Sequence, residues 1–190
     1  MTTDLPAKLM ELMADVVNVR RFSDAGVEGA KIRELLESFR LGPSAANVQP
    51  WEVIIVSSRE KRRLVAEATL DPFCSPGSWG GQGWVETAPF LAVICLDQKR
   101  AEARMGSEWG FISSVGDCYA ALQNMRLMAN ALGLKTAVVK EIDPARLAEA
   151  LDLPWTIQPL VVVAAGYAED ELEHPPRYAV EDFVHREEWP

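Results

Sequence analysis

At 190 residues, 48% apolar and 25% charged, the chain is long enough for a single domain over 1–190 with a substantial core, and its composition is ordinary for a globular protein. A formal net charge of −9 leaves no basic face for a nucleic-acid backbone, so no nucleic-acid partner is expected. Cys74, Cys95 and Cys118 stand far apart, with only His174 and His185 to join them, which argues against a disulfide framework and against a structural zinc site.

Met1-Thr2-Thr3-Asp4 lacks the charged and apolar regions of a signal peptide, and no apolar run approaches the roughly 18 residues of a membrane span. A cytoplasmic protein without a membrane partner is the expectation. Leu5, Leu9, Leu12, Met13 and Val16 form a helical stripe and predict a helix over 5–17. A loop follows from Asn18 to Gly26, and Asp24 or the residues just after it start the next helix. That helix carries Ile32, Leu35, Leu36 and Phe39 on one face and stops at Gly42-Pro43.

The turn Gly42-Pro43-Ser44-Ala45-Ala46-Asn47-Val48-Gln49 then leads through Pro50-Trp51 into a strand at 52–57. A turn of Gly, Pro, Ser and Asn in this position offers backbone N–H groups and two side-chain amides to a polar ligand. Ser57 or Ser58 caps a helix over about 59–69, and the run Arg59-Glu60-Lys61-Arg62-Arg63 at its start reads as a solvated helix face. Residues 71–84, with four Gly, two Pro and two Trp, form the least regular part.

Phe90 to Leu96 is a continuous apolar run, a strand buried on both faces. Residues 98–106 read as a charged connection. From about 108 to 132, Phe111, Val115, Cys118, Leu122, Met125, Ala129 and Leu132 recur at helical steps, and Ile112, Tyr119, Ala121 and Met128 widen the stripe beyond one face. Such a helix belongs at the centre of a core or in a subunit interface. Asp117 on it reads as a polar dimer contact, and Cys95 and Cys118 as inert core thiols. Gly133 ends the helix, Thr136–Val139 is a third strand, Asp143-Pro144 opens a helix over 143–151, and Pro159–Ala165 is a fourth strand. Helices interleaved with buried strands predict an α+β or α/β sandwich with a sheet covered on both faces. The tail from Gly166 is acidic and irregular.

Familiar catalytic motifs are missing. Gly77 to Gly83 lacks the Gly-Lys-Ser/Thr ending of a P-loop, no G-x-G-x-x-G joins strand to helix, and there is no G-x-S-x-G elbow. Any chemistry would have to come largely from a cofactor.

Asn18-Val19-Arg20-Arg21-Phe22-Ser23-Asp24 precedes Pro43-Ser44-Ala45-Ala46-Asn47-Val48-Gln49-Pro50-Trp51. Ala131-Leu132-Gly133-Leu134, then Pro159 to Tyr167, then Pro176-Arg177-Tyr178 and a tail ending in Trp189 follow in order. Over nearly the whole chain this pattern resembles the FMN-dependent nitroreductase family. The resemblance implies a three-layer α-β-α sandwich of α+β class around a mostly antiparallel sheet. It also implies a homodimer with one FMN per subunit at the interface and a C-terminal arm, 166–190, extending over the partner subunit. The implied activity is ping-pong hydride transfer from NADH or NADPH, through FMN N5, to a small organic acceptor such as a nitroaromatic or quinone.

Carried over residue by residue, the resemblance puts Arg20 near the flavin pyrimidine edge, where a cation supports negative charge on the reduced ring. Asn18 falls near the ribityl chain or ring. Pro43, Ser44, Ala45 and Asn47 fall on the loop touching ring and ribityl, while Gln49 holds that loop or meets the partner. Val138, Val139, Lys140 and Glu141 fall on the segment whose N–H groups reach N5 and O4. Arg177 falls on a phosphate-binding arginine, a task suited to its forked donors. Trp79 and Trp84 line the substrate side or pack the 71–84 loop. With Phe22 as the anchor of the register, Val16, Val17, Trp84 and Pro175 stand at usually polar or basic positions, so fewer cations than usual meet the phosphate. That thinning keeps two other functions open: a flavin-binding protein without nicotinamide turnover, and a flavin-dependent oxidase or desaturase.

Overall fold

A computed structural model describes residues 4–71, 81–169 and 174–189. Most of the irregular 71–84 segment, including Cys74 and Trp79, lies outside them. The elements in chain order are α1 (Leu5–Ala14), α2 (Gly29–Arg40), β1 (Trp51–Ile55), α3 (Arg59–Glu67), β2 (Phe90–Asp97), α4 (Gln98–Ala131), β3 (Lys135–Val139), α5 (Pro144–Ala150) and β4 (Ile157–Gly166). Among the described residues the four strands form one sheet in the order β1-β2-β4-β3, with every neighbouring pair antiparallel.

An antiparallel sheet that is wet on one side alternates apolar and polar residues; β2 and β4 do not, because helices cover both faces. Ala92, Ile94 and Leu96 pack with Leu35 and Phe39 of α2 and Leu122 and Met125 of α4. Leu91, Val93 and Cys95 pack on the other face with Val65 of α3 and Leu147 of α5. The result is the expected three-layer sandwich. Pro159 sits in β4 opposite Cys95, where the register slips by a bulge between Ile94 and Cys95. A residue without an N–H is tolerated there.

Caps set most boundaries. The Ser58 hydroxyl accepts the Lys61 N–H at 3.2 Å, and the Asp143 carboxylate accepts those of Ala145 and Arg146 at 2.9 and 3.1 Å. At the end of α4, Gly133 has φ 73°, the Leu134 N–H donates to the Ala129 carbonyl at 2.8 Å and the Gly133 N–H to that of Asn130 at 3.0 Å. This is a Schellman closure.

Three expectations need correction. The first helix ends at Ala14, with Asp15 at its C-cap, and buries no residue, so Leu5, Leu9, Met10 and Met13 face outward. The second starts at Gly29 with Glu28 at its N-cap, leaving Asp24 in the preceding loop. Residues 98–105 are helical rather than a connection. Asp97 caps them by accepting the Arg100 N–H at 3.0 Å, and Gln, Lys, Arg, Ala and Glu are all good helix formers. The sharp bend comes instead at Gly106, with φ 72° and ψ 167°. It folds the two limbs of α4 together until a Cβ on Gly110 would stand 3.1 Å from the Ala101 carbonyl oxygen, whereas nine residues of straight helix span about 14 Å.

The basic run on α3 is the solvated face expected, with surface pairs added: Lys61 pairs with Asp152 at 2.8 Å, Arg63 pairs with Glu67, and half-buried Arg62 donates to the Ala88 and Pro89 carbonyls. Gly42 marks where the end of α2 touches α4, since a Cβ there would lie 2.4 Å from the Ala121 Cβ. All residues from 174 to 189 are exposed, with one short 3₁₀ turn at Val180–Asp182.

Candidate functional site

The expected site residues fall into two groups, each mounted on α4. One is the turn between α2 and β1. Ala46, Asn47 and Gln49 have φ of 50°, 56° and 50°, the left-handed region, at a cost of about 1–2 kcal/mol for each L-residue. Three contacts hold the turn in that state. The Asp117 carboxylate accepts the Ala45 N–H at 3.0 Å, the Ser44 hydroxyl accepts the Gln49 N–H at 3.0 Å, and Arg100 donates to the Gln49 carbonyl at 2.7 Å. Trp51 anchors the following strand by meeting Phe39 edge-on at 5.6 Å. Asp117 is thus a tether within its own chain. Gln49 holds the loop, as one of its two expected roles required. Pro43 and Asn47 are exposed, and Ser44 and Ala45 half-buried.

The other group lies along the outer edge of β3. The Val19 N–H donates to the Thr136 carbonyl at 3.0 Å, and Asn18 bridges Thr136 in parallel. Asn18 and Arg20 therefore flank a buried Val19 and stay exposed themselves. Because the Thr136 carbonyl faces this edge, strand parity turns the N–H groups of Val138 and Lys140 the same way, while Ala137 and Val139 face β4. The Lys140 N–H donates to the Glu141 carboxylate at 3.2 Å, and the Lys140 ammonium lies 5.1 Å from the centre of the Tyr119 ring.

Arg126 of α4 reaches into this edge. Its Nη2 donates to Asn18 Oδ1 at 2.9 Å and its Nε to Thr136 Oγ1 at 3.1 Å. Burial pulls its pKa below the ordinary arginine value. Lys135 is matched by Asp15 and also donates to Asn130 Oδ1 at 3.2 Å, and His174 Nε2 stands 3.6 Å from Asp15. Among the described residues, Arg20, Arg126 and Arg177 have no carboxylate partner. The Arg126 guanidinium without a counter-charge, beside the outward backbone edge of β3, suits a ligand that is anionic at one end and carries acceptor atoms at the other.

Trp84, in the 3₁₀ turn Gly83–Thr87, is half-buried with its ring 6.2 Å from Phe22, and its buried indole N–H has no acceptor among the described residues. The structure therefore gives it packing contacts, and Trp79 lies outside the described residues. Val16 and Val17 are half-buried and Pro175 is exposed.

Sequence reasoning missed Arg126 and the tether that Asp117 makes to the turn. A signal for Arg126 was present: it interrupts an apolar stripe, and none of Leu122, Gln123, Ala129 and Asn130, its helical neighbours, is acidic. The tether of Asp117 to residue 45 spans 72 positions and leaves no local mark. Asp117 and Arg126 are nine positions apart, about 14 Å along a straight helix.

A model described as the nitroreductase family matches residues 18–167. An Archaeoglobus fulgidus protein with the provisional name NADH dehydrogenase/NAD(P)H nitroreductase is 31% identical, over 90% of this chain and 93% of its own. FMN reductase (NAD(P)H) of Bacillus subtilis is 26% identical, over 95% of this chain and 74% of its own. A solved structure from Parabacteroides distasonis, under the same provisional name as the first, is 28% identical. It superposes with a TM-score of 0.78 over 96% of this chain and 99% of that one.

Proposed function

This chain belongs to the nitroreductase family, and from that premise we propose that it is an FMN-dependent NAD(P)H oxidoreductase acting on a small organic acceptor such as a nitroaromatic or a quinone. The observation that carries this reading is the outer edge of β3, where outward backbone donors stand beside a guanidinium that has no counter-charge. Bound FMN would supply the two-electron exchange between nicotinamide and acceptor. The Val138 N–H presents a donor to the ring's acceptor edge; Val139 continues the segment, and the Lys140 N–H joins it on leaving the Glu141 carboxylate, its partner at 3.2 Å. Arg20 supplies positive potential where the ring gains negative charge. Asn18 lies toward the ribityl chain, and Arg177 reaches the phosphate.

A homodimer completes the site. In that assembly the turn carrying Pro43, Ser44, Ala45 and Asn47 of the second copy joins the β3 edge of the first. The exposed apolar surface supports this assembly: Leu9 and Met13 on α1, Trp109 and Ile112 on α4, and an arm with Tyr178 and Trp189 at 84% and 81% exposure. Free thiols at Cys95 and Cys118 suit the cytoplasm, and among the described residues no helix is long and apolar enough to cross a membrane.

The test is the visible spectrum of the purified protein, followed by NADH or NADPH added without air. A flavin spectrum bleached by at least one nicotinamide is the expected result. Protein that neither carries nor takes up FMN refutes the reading, and bound flavin that neither nicotinamide reduces refutes the NAD(P)H step.

A further inference from the structure

We propose that Arg126 is an anchor for the phosphate of the bound flavin nucleotide, a role that rests on the flavin reading above. The guanidinium has five N–H donors in a fixed plane. One is spent on Thr136 Oγ1 and one on Asn18 Oδ1, both neutral acceptors. Nη1 and the second Nη2 hydrogen have no acceptor among the described residues. A half-buried cation without a counter-charge is costly, and an anion arriving at the free side of the fork removes that cost.

The surroundings are arranged for this. The neighbouring cation, Lys135, is already neutralised by Asp15 and does not compete with Arg126 for an anion. Hydrogen bonds to two different segments, β3 and the Asn18 strand, fix the plane of the fork before any ligand arrives, which lowers the ordering cost of binding. His174 meets the same Asp15, so the tail begins beside this cluster, and Arg177 follows within about 10 Å of extended chain. Two guanidinium groups can thus converge on one dianion. If the arginine were only a clamp between Asn18 and β3, its two neutral contacts would serve as well with a neutral amide in its place.

That difference sets the experiment. Full-length wild-type protein and Arg126→Gln are titrated calorimetrically with FMN and with riboflavin, which lacks the phosphate. R126Q is expected to lose roughly ten- to hundredfold in FMN affinity, the loss of one charged hydrogen bond, while riboflavin affinity changes by less than about twofold. Arg126→Met carries the same readout should R126Q not fold. Equal weakening toward both ligands, or an unchanged FMN-to-riboflavin ratio in a wild type that binds FMN, overturns the anchor alone. A wild type that binds neither overturns the flavin reading and the anchor with it.

Discussion

Replacing Asp117 by alanine removes the carboxylate that accepts the Ala45 N–H at 3.0 Å. Such a charge-assisted bond contributes about 1.5–3 kcal/mol. The turn it holds contains three left-handed L-residues, Ala46, Asn47 and Gln49, and stores roughly 3–6 kcal/mol of conformational cost. With few contacts opposing that cost, losing about 2 kcal/mol multiplies the open population of the turn by about thirty. Amide hydrogen exchange at Ala45 and Gln49 measures this directly and is expected to quicken by that factor. The urea midpoint should move much less, because the core on either face of the sheet is untouched. Asp117→Asn keeps an acceptor and should quicken exchange by a smaller factor. If D117A leaves both amides at their wild-type rates, the turn is held by something other than Asp117 and the reasoning fails.

Gly42→Ala puts a methyl group 2.4 Å from the Ala121 Cβ and 2.6 Å from its Cα, so it should destabilise the fold by about 1–3 kcal/mol in urea unfolding. Wild-type stability would mean that α2 and α4 separate easily at that point. Burial pushes the thiols of Cys95 and Cys118 up to about 12, so a thiol reagent at pH 8 should label neither until the protein is unfolded. Labelling of Cys95 or Cys118 in the native protein would contradict their burial. The third expectation is a pH dependence. Glu28 is held below its ordinary 4.5 by its own backbone N–H first and then by the Tyr167 hydroxyl, and Lys31 is held above its ordinary 10.5 first by that hydroxyl. The Glu28 contribution is therefore present above pH 4.5 and lost as pH falls through its lowered pKa; that of Lys31 is present below pH 10.5 and lost as pH rises through its raised pKa. The stability gap between wild type and Tyr167→Phe should be widest between those limits, and a gap constant from pH 3 to 11 would refute the link.

What could be read from the chain beforehand followed physical range. β2 and β4 were legible because Phe90–Leu96 and Pro159–Ala165 are continuous apolar runs, and such a short run has few other homes. Ser58, Asp143 and Gly133 were legible as helix ends because caps act within a few residues. The stretch 98–105 was misread because its charge suggested a loop, whereas its helix is set by Asp97 before it and Gly106 after it. The pattern around Pro43 to Trp51 indicated the turn but not what restrains it, since Asp117 approaches from another element. The pairing of Arg126 with Asn18 is of the same kind, joining positions 108 residues apart. Local rules place segments; the contacts that tune the candidate site connect distant ones.

The exposed arm also has a consequence for how the molecule reaches its final state. Tyr178, Val180, Phe183, Val184 and Trp189 lie along it with no core of their own, so folding of one chain leaves them wet. In the homodimer proposed above their burial is a bimolecular event, slower at low protein concentration and separable in time from the collapse of the sandwich. Trp189, held with its ring 4.3 Å from that of His185, sits at the far end of this segment. Its fluorescence should therefore register the meeting of two chains rather than the folding of either.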